Sequence, residues 1–111
     1  MRENEYQQYL IKLLHKLFPG CIILKNDSGY LQGIPDLLIL HHDMWAALEV
    51  KRSRHALLQP NQEFYIDRLS DMSFAAIIYP ENEQEVLDAL QSAFQPRRPT
   101  RISRRKQVSL D

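Results

Sequence analysis

The chain holds a single cysteine among its 111 residues. Cys21 therefore has no internal partner, and no disulfide cross-links this fold. It lies beside Ile22, Ile23 and Leu24, where a thiol is expected to pack as a small apolar group. No secretion leader is recognisable, since the first residues are polar and helix-like, so a cytoplasmic, intracellular setting is expected. No apolar run approaches the ~18 residues of a membrane span. Internal repeats and low-complexity tracts are missing as well.

Net charge is also absent, because 14 Lys/Arg balance 14 Asp/Glu. The balance conceals an asymmetry. Residues 1–95 carry 8 basic and 13 acidic side chains, and residues 96–111 carry 6 basic and 1 acidic. Arg97, Arg98, Arg101, Arg104, Arg105 and Lys106 form this basic end. Such a tail suits a polyanion such as nucleic acid, with a merely solvated end as the alternative. A length of 111 residues with 44% apolar and 25% charged content suits one domain with one modest core. The expected organisation is a globular domain over residues 1–95 and a basic tail over residues 96–111.

Tyr6, Tyr9, Leu10, Leu13, Leu14, Leu17 and Phe18 recur at helical spacing and stop before Pro19-Gly20. Short apolar runs at 21–24, 36–40 and 45–51 read as strands, and 41–44 as the turn of a hairpin joining the last two. Pro60 suits the first turn of a second helix running to about Asp71, with Phe64, Tyr65, Leu69 and Met72 inward. Phe74–Tyr79 is apolar throughout, like a strand buried on both faces. Val86, Leu87, Leu90, Ala93 and Phe94 mark a last helix. The order is α-β-β-β-α-β-α, which predicts an α/β fold with a small mixed four-stranded sheet flanked by helices.

The third strand carries Glu49 and Lys51, which share a face because side chains alternate. Hairpin pairing brings Asp36, at the start of the second strand, close to Glu49 or Lys51. Two neighbouring carboxylates repel unless a cation lies between them. Hard oxygen ligands suit Mg²⁺, and an adjacent lysine can orient a water or stabilise charge on a phosphate. Taken alone, E-x-K is more commonly a same-face ion pair.

The longer pattern is more specific. Gly33-x-Pro35-Asp36, a gap of 12 residues, then Glu49-Val50-Lys51 resembles the PD-(D/E)XK nuclease signature, in particular the VRR-NUC (virus-type replication-repair nuclease) branch. Glu3 and Gln7 match the glutamate and glutamine that the family carries four residues apart on its first helix, with Glu5 as the second choice for the acid. Gln62 matches a glutamine near the start of the family's second helix, with Gln59 as its alternative. The resemblance spans roughly residues 3–79.

It implies a restriction-endonuclease-like core and a Mg²⁺-dependent DNA endonuclease, with Mn²⁺ able to substitute. Asp36, Glu49 and the main-chain carbonyl of Val50 would ligate the metal. Lys51 would position the attacking water and stabilise the developing charge. Glu3 would bind a second metal or hold a metal-bound water, and Gln62 would hydrogen-bond near Lys51 or the phosphate. Single-domain members resemble homodimeric Holliday-junction resolvases, so branched DNA is the expected substrate; a phage origin would follow from the family. The rival expectations are a restriction-like or nicking enzyme on duplex DNA, and a non-catalytic nucleic-acid-binding module. Lys25, Asn26, Ser28, Arg52 and Arg54 flank the motif as candidate DNA contacts, joined by Arg97 and Arg98 of the tail. His41-His42-Asp43 and His55 are read as turn and loop residues, Trp45 as a packing residue or dimer contact, and Tyr30 as a possible base-stacking side chain.

Overall fold

The helical spacing at the start of the chain becomes α1, Glu3–Leu17. Its first turn is tied back by Glu5, whose Oε1 accepts from the Arg2 backbone N–H at 3.1 Å and from Arg2 Nε at 2.9 Å. Tyr6, Leu10 and Leu14 form the buried stripe, and Gly20 takes the left-handed conformation (φ 87°) just beyond the helix. A computed structural model describes residues 1–95. The basic tail, with Arg97 and Arg98, lies outside the described residues.

Three strands follow: β1, Ile22–Lys25; β2, Leu37–His41; and β3, Met44–Val50. All pair antiparallel in sequence order. The β2–β3 hairpin turns on His42-Asp43, with His42 left-handed (φ 57°). Next come α2, Gln62–Met72, and β4, Phe74–Ile78, which runs parallel to β3. A 3-10 turn at Pro80–Asn82 leads into α3, Glu83–Ala93. The result is an α/β fold with an open, mixed four-stranded sheet in the order β1-β2-β3-β4.

The pleat divides the sheet chemically. Leu37, Ile39, Ala46, Leu48, Val50 and Ile78 share one face and are buried against Tyr6, Leu10, Leu14 and Phe18 from one end of the chain and Val86, Leu87, Leu90 and Phe94 from the other. That core joins α1 and α3. Cys21 is buried there too, and burial pushes its thiol pKa up. His41, also buried, packs its ring against Phe18 and Phe94; burial, with His42 beside it, moves its pKa down. Glu49 and Lys51 lie on the opposite face, where α2 begins.

Some expectations need correction. The second helix starts at Gln62 rather than Pro60, because Asn61 is left-handed (φ 72°) and cannot belong to the helix. Phe64 and Met72 are exposed, and α2 buries no residue completely. The cause is its position over an edge: β4 pairs only with β3, so it ends the sheet. For the same reason only Ile78 of β4 is fully buried, and the strand is half-covered rather than enclosed on both faces. Ala93 is exposed as well.

Candidate active site

Asp36 precedes β2 at the end where β3 finishes, because Leu37 opposes Leu48 in the hairpin. Its main-chain carbonyl accepts from the Asn26 N–H at 2.9 Å, continuing the ladder beyond β1. Its Oδ2 accepts the Val50 N–H at 2.8 Å. One carboxylate oxygen is thereby fixed across the sheet end. Lys51 is held in turn by its N–H, which donates to the Ile78 carbonyl at 2.9 Å.

Glu49 is 1% exposed and Lys51 6%. The Lys51 Nζ lies 3.7 Å from Glu49 Oε2, which also accepts from Gln62 Nε2 at 2.9 Å. Gln62 is itself oriented, because its Oε1 accepts the Gln59 N–H at 2.7 Å. Glu49 Oε1 is the only buried side-chain oxygen or nitrogen among the described residues without a hydrogen-bond partner. Such an atom is costly to bury. Burial raises the Glu49 pKa most; the Asp36 carboxylate raises it further, by its charge and as a hydrogen-bond partner of the protonated acid, Lys51 partly offsets this, and Glu3 adds to it, leaving it at about 8.

These groups open onto a cavity of about 640 Å³. Glu3, Asp36, Glu49, Lys51 and Gln62 all line it, with Gln59. The sequence left the helix-1 acid open between Glu3 and Glu5. Glu3 faces the cavity, whereas Glu5 is engaged with Arg2. Gln7 is half-buried on α1 and is not part of the lining. Gln59 and Gln62 both take part, one holding the other.

The candidate DNA contacts divide. Ser28 lines the cavity. Asn26 is a structural residue instead: its Nδ2 donates to the Pro35 carbonyl at 2.8 Å, which fixes the segment leading to Asp36. Lys25, Arg52 and Arg54 are exposed and outside the lining, and Arg54 Nε lies 3.8 Å from Glu81 Oε2. Trp45 belongs to the sheet, where its carbonyl accepts from Ser73 Oγ.

Two supports were not read from the sequence. Gly33 has φ 91°, and a Cβ there would lie 2.6 Å from Asn61 Cβ and 2.8 Å from the Pro60 carbonyl oxygen. The loop before Asp36 thus touches the turn before Gln62 backbone to backbone. The glycine of G-x-P-D was the available signal. On the other side, Tyr6 OH donates to Glu83 Oε1 at 2.8 Å and Tyr9 OH to Glu83 Oε2 at 3.1 Å. These bonds pin the N-terminal half of α1, which carries Glu3, to α3. Residues 77 apart in sequence leave no local pattern for such a contact.

No group of three or more His, Cys, Asp or Glu side chains is assembled as a metal site among the described residues. A Mg²⁺ ion, however, takes one or two protein carboxylates and keeps several waters, so the unpartnered Glu49 Oε1 beside Asp36 fits a hard cation. No helix among the described residues is long and apolar enough to cross a membrane. The chain matches no family model, and no curated protein or solved structure is significantly similar to it.

Proposed function

We propose that this chain is a metal-dependent DNA endonuclease with a PD-(D/E)XK core of the VRR-NUC type, acting on branched DNA as a homodimer. One observation carries the reading: a buried glutamate oxygen without a partner, beside a second carboxylate and a buried lysine, at the wall of an open cavity. Oε1 has no donor from the protein and lies against the Asp36 carboxylate, a repulsion relieved by a proton shared between the two acids or by a cation in its place.

Asp36, Glu49 and the Val50 carbonyl would hold Mg²⁺ or Mn²⁺. When bound, the ion supplies Lewis-acid polarisation of a phosphate oxygen and a more acidic water. The remaining work belongs to the protein. Lys51 orients a water toward phosphorus and, as a buried ammonium, stabilises the negative charge that develops on the phosphate oxygens. Gln62 holds Glu49 Oε2 through its amide, which leaves Oε1 as the oxygen that would meet a cation. Glu3 lines the same cavity, where it can hold a water. Two copies related by a two-fold axis suit a four-way junction, which needs two symmetric cuts.

The test is a panel of labelled junction, flap, linear duplex and single-stranded DNA, incubated with EDTA, Mg²⁺ or Mn²⁺, beside Lys51→Ala. Cleavage of branched DNA in either metal alone is the expected result. Cleavage of linear duplex only would favour a restriction-like or nicking enzyme. Binding without cleavage in both metals would leave a non-catalytic module.

A further inference from the structure

The two most exposed large apolar side chains of the described residues are Tyr30, at 89%, and Leu57, at 84%. Both belong to the loops that wall the candidate active site. Ser28, Gly29, Gln32, Gly33 and Ile34 line the cavity on either side of Tyr30, and Ala56 and Leu57 line it from the second loop. Such exposure costs hydration free energy, which a ligand covering these side chains would recover.

Neither side chain is there because its loop is unstructured. In the first loop Asp27 organises a turn: its Oδ1 accepts the Gly29 N–H at 2.8 Å, and its carbonyl accepts the N–H of Tyr30 at 3.1 Å. In the second loop Ser53 does the same, its Oγ accepting the His55 N–H and its carbonyl the Ala56 N–H, both at 3.2 Å. Tyr30 thus sits in an ordered loop whose neighbouring residues line the cavity, and Leu57, just past the second turn, lines it directly. Arg52, exposed on the Leu57 loop, adds positive charge there, whereas Arg54 is turned toward Glu81.

From this arrangement we infer that Tyr30 and Leu57 grip unpaired bases, so that the site selects DNA whose bases are unstacked next to the phosphate in the cavity. The inference rests on the nuclease reading and names its substrate class. A phosphate in the cavity carries no sequence or structure information by itself. A paired duplex keeps its base faces stacked and offers nothing to a tyrosine ring. A splayed strand exposes those faces, and a ring stacks on any of them regardless of sequence. Leu57, in the cavity lining itself, gives an apolar surface for a neighbouring base, as wedging side chains do at unstacked steps.

The experiment measures binding of the full chain carrying Lys51→Ala, by fluorescence anisotropy in Mg²⁺. The probes are a splayed-arm DNA with 2-aminopurine unpaired at the branch and a linear duplex of equal length. Tyr30→Ala is expected to weaken splayed-arm binding about 5- to 150-fold, the range for a lost base–aromatic stack, and Leu57→Ala to weaken it by a smaller factor, while duplex binding stays within about twofold. Tyr30→Trp is expected to retain splayed-arm binding and the quenching of 2-aminopurine. Both side chains are exposed, so thermal melting should match the parent and exclude misfolding. Equal loss on both DNAs, or no loss on either, overturns the inference. Cleavage of the splayed arm in Mg²⁺ by chains with Lys51 intact is scored separately. Normal cleavage and binding by Tyr30→Ala and Leu57→Ala defeat this inference and leave the nuclease standing. No cleavage by the unsubstituted chain defeats the nuclease reading, while the binding comparison still decides this one.

Discussion

Gln62 Nε2 donates to Glu49 Oε2 at 2.9 Å, joining the first residue of α2 to the acid near the end of β3. The same oxygen faces the Lys51 ammonium at 3.7 Å. Gln62 therefore sets which Glu49 oxygen is free. Gln62→Leu is expected to remove the donor and let Glu49 turn fully toward Lys51. Cleavage should fall about 10- to 100-fold, the size of effect that outer-shell partners of metal ligands show. Stability should also fall, by about 1–3 kcal/mol, because the buried Glu49 Oε2 loses its amide donor. Single-turnover rates and urea melts check both halves.

Glu49 supplies a pH test. The folded chain holds its proton to about pH 8, against 4.5 for the group in its ordinary state. Between those values the folded state binds more protons than the unfolded one, so stability falls as pH rises. Below the lower value the effect vanishes, and above the upper one the loss is complete. In EDTA, urea unfolding should show declining stability from about pH 5 to pH 8. Glu49→Gln should flatten that slope and be the more stable protein at the alkaline end. On the proposed metal-dependent reading a cation would compete with this proton, so Mn²⁺ affinity should rise through the same interval.

Gly33→Ala is expected to destabilise the fold by about 1–3 kcal/mol. The added methyl would lie 2.7 Å from the Asn61 carbonyl carbon, at a φ that side chains rarely adopt. Relief would come from moving the turn that leads into α2, which carries Gln62. Cleavage should therefore fall further than the lost stability explains. Asn61→Gly, which keeps the left-handed conformation without strain, should be close to neutral. Thermal melts and rates of the two variants make the comparison.

Tyr6→Phe removes one of the two bonds that fasten α1 to Glu83. The expected cost is about 0.5–1.5 kcal/mol. Burial and the Glu83 carboxylate push the Tyr6 phenol pKa up, so the bond persists through the neutral and mildly alkaline range. Tyr6→Phe should accordingly shift the unfolding midpoint equally at pH 7 and pH 9. A cost that disappears at pH 9 would contradict this reading.

Much of the layout is legible in the sequence because it depends on local periodicity. The stripe from Tyr6 to Phe18, the alternation around Glu49 and Lys51, and the hairpin register that brings Asp36 across from them all follow from side-chain direction. What escapes is set by tertiary position. Phe64 and Met72 match a buried stripe, yet α2 lies over a sheet edge and leaves them in solvent. Pro60 looks like a helix start until Asn61, pressed against Gly33, turns left-handed. Asn26 looks like a phosphate contact, whereas its amide is spent on the Pro35 carbonyl. The Tyr6–Glu83 bond spans nearly the whole domain and has no sequence signature.

The most direct measurement is single-turnover cleavage of labelled branched DNA in Mg²⁺ by the unsubstituted chain and by Lys51→Ala, with Asp36→Asn beside them. Metal-dependent cleavage is predicted for the unsubstituted chain, and a fall of at least about 10²- to 10³-fold for Lys51→Ala, the size expected when a stabiliser of developing charge is lost. Asp36→Asn should cut no faster than Lys51→Ala. Cleavage by Lys51→Ala at the unsubstituted rate, or no cleavage by any of the three proteins, would contradict the assignment of this site.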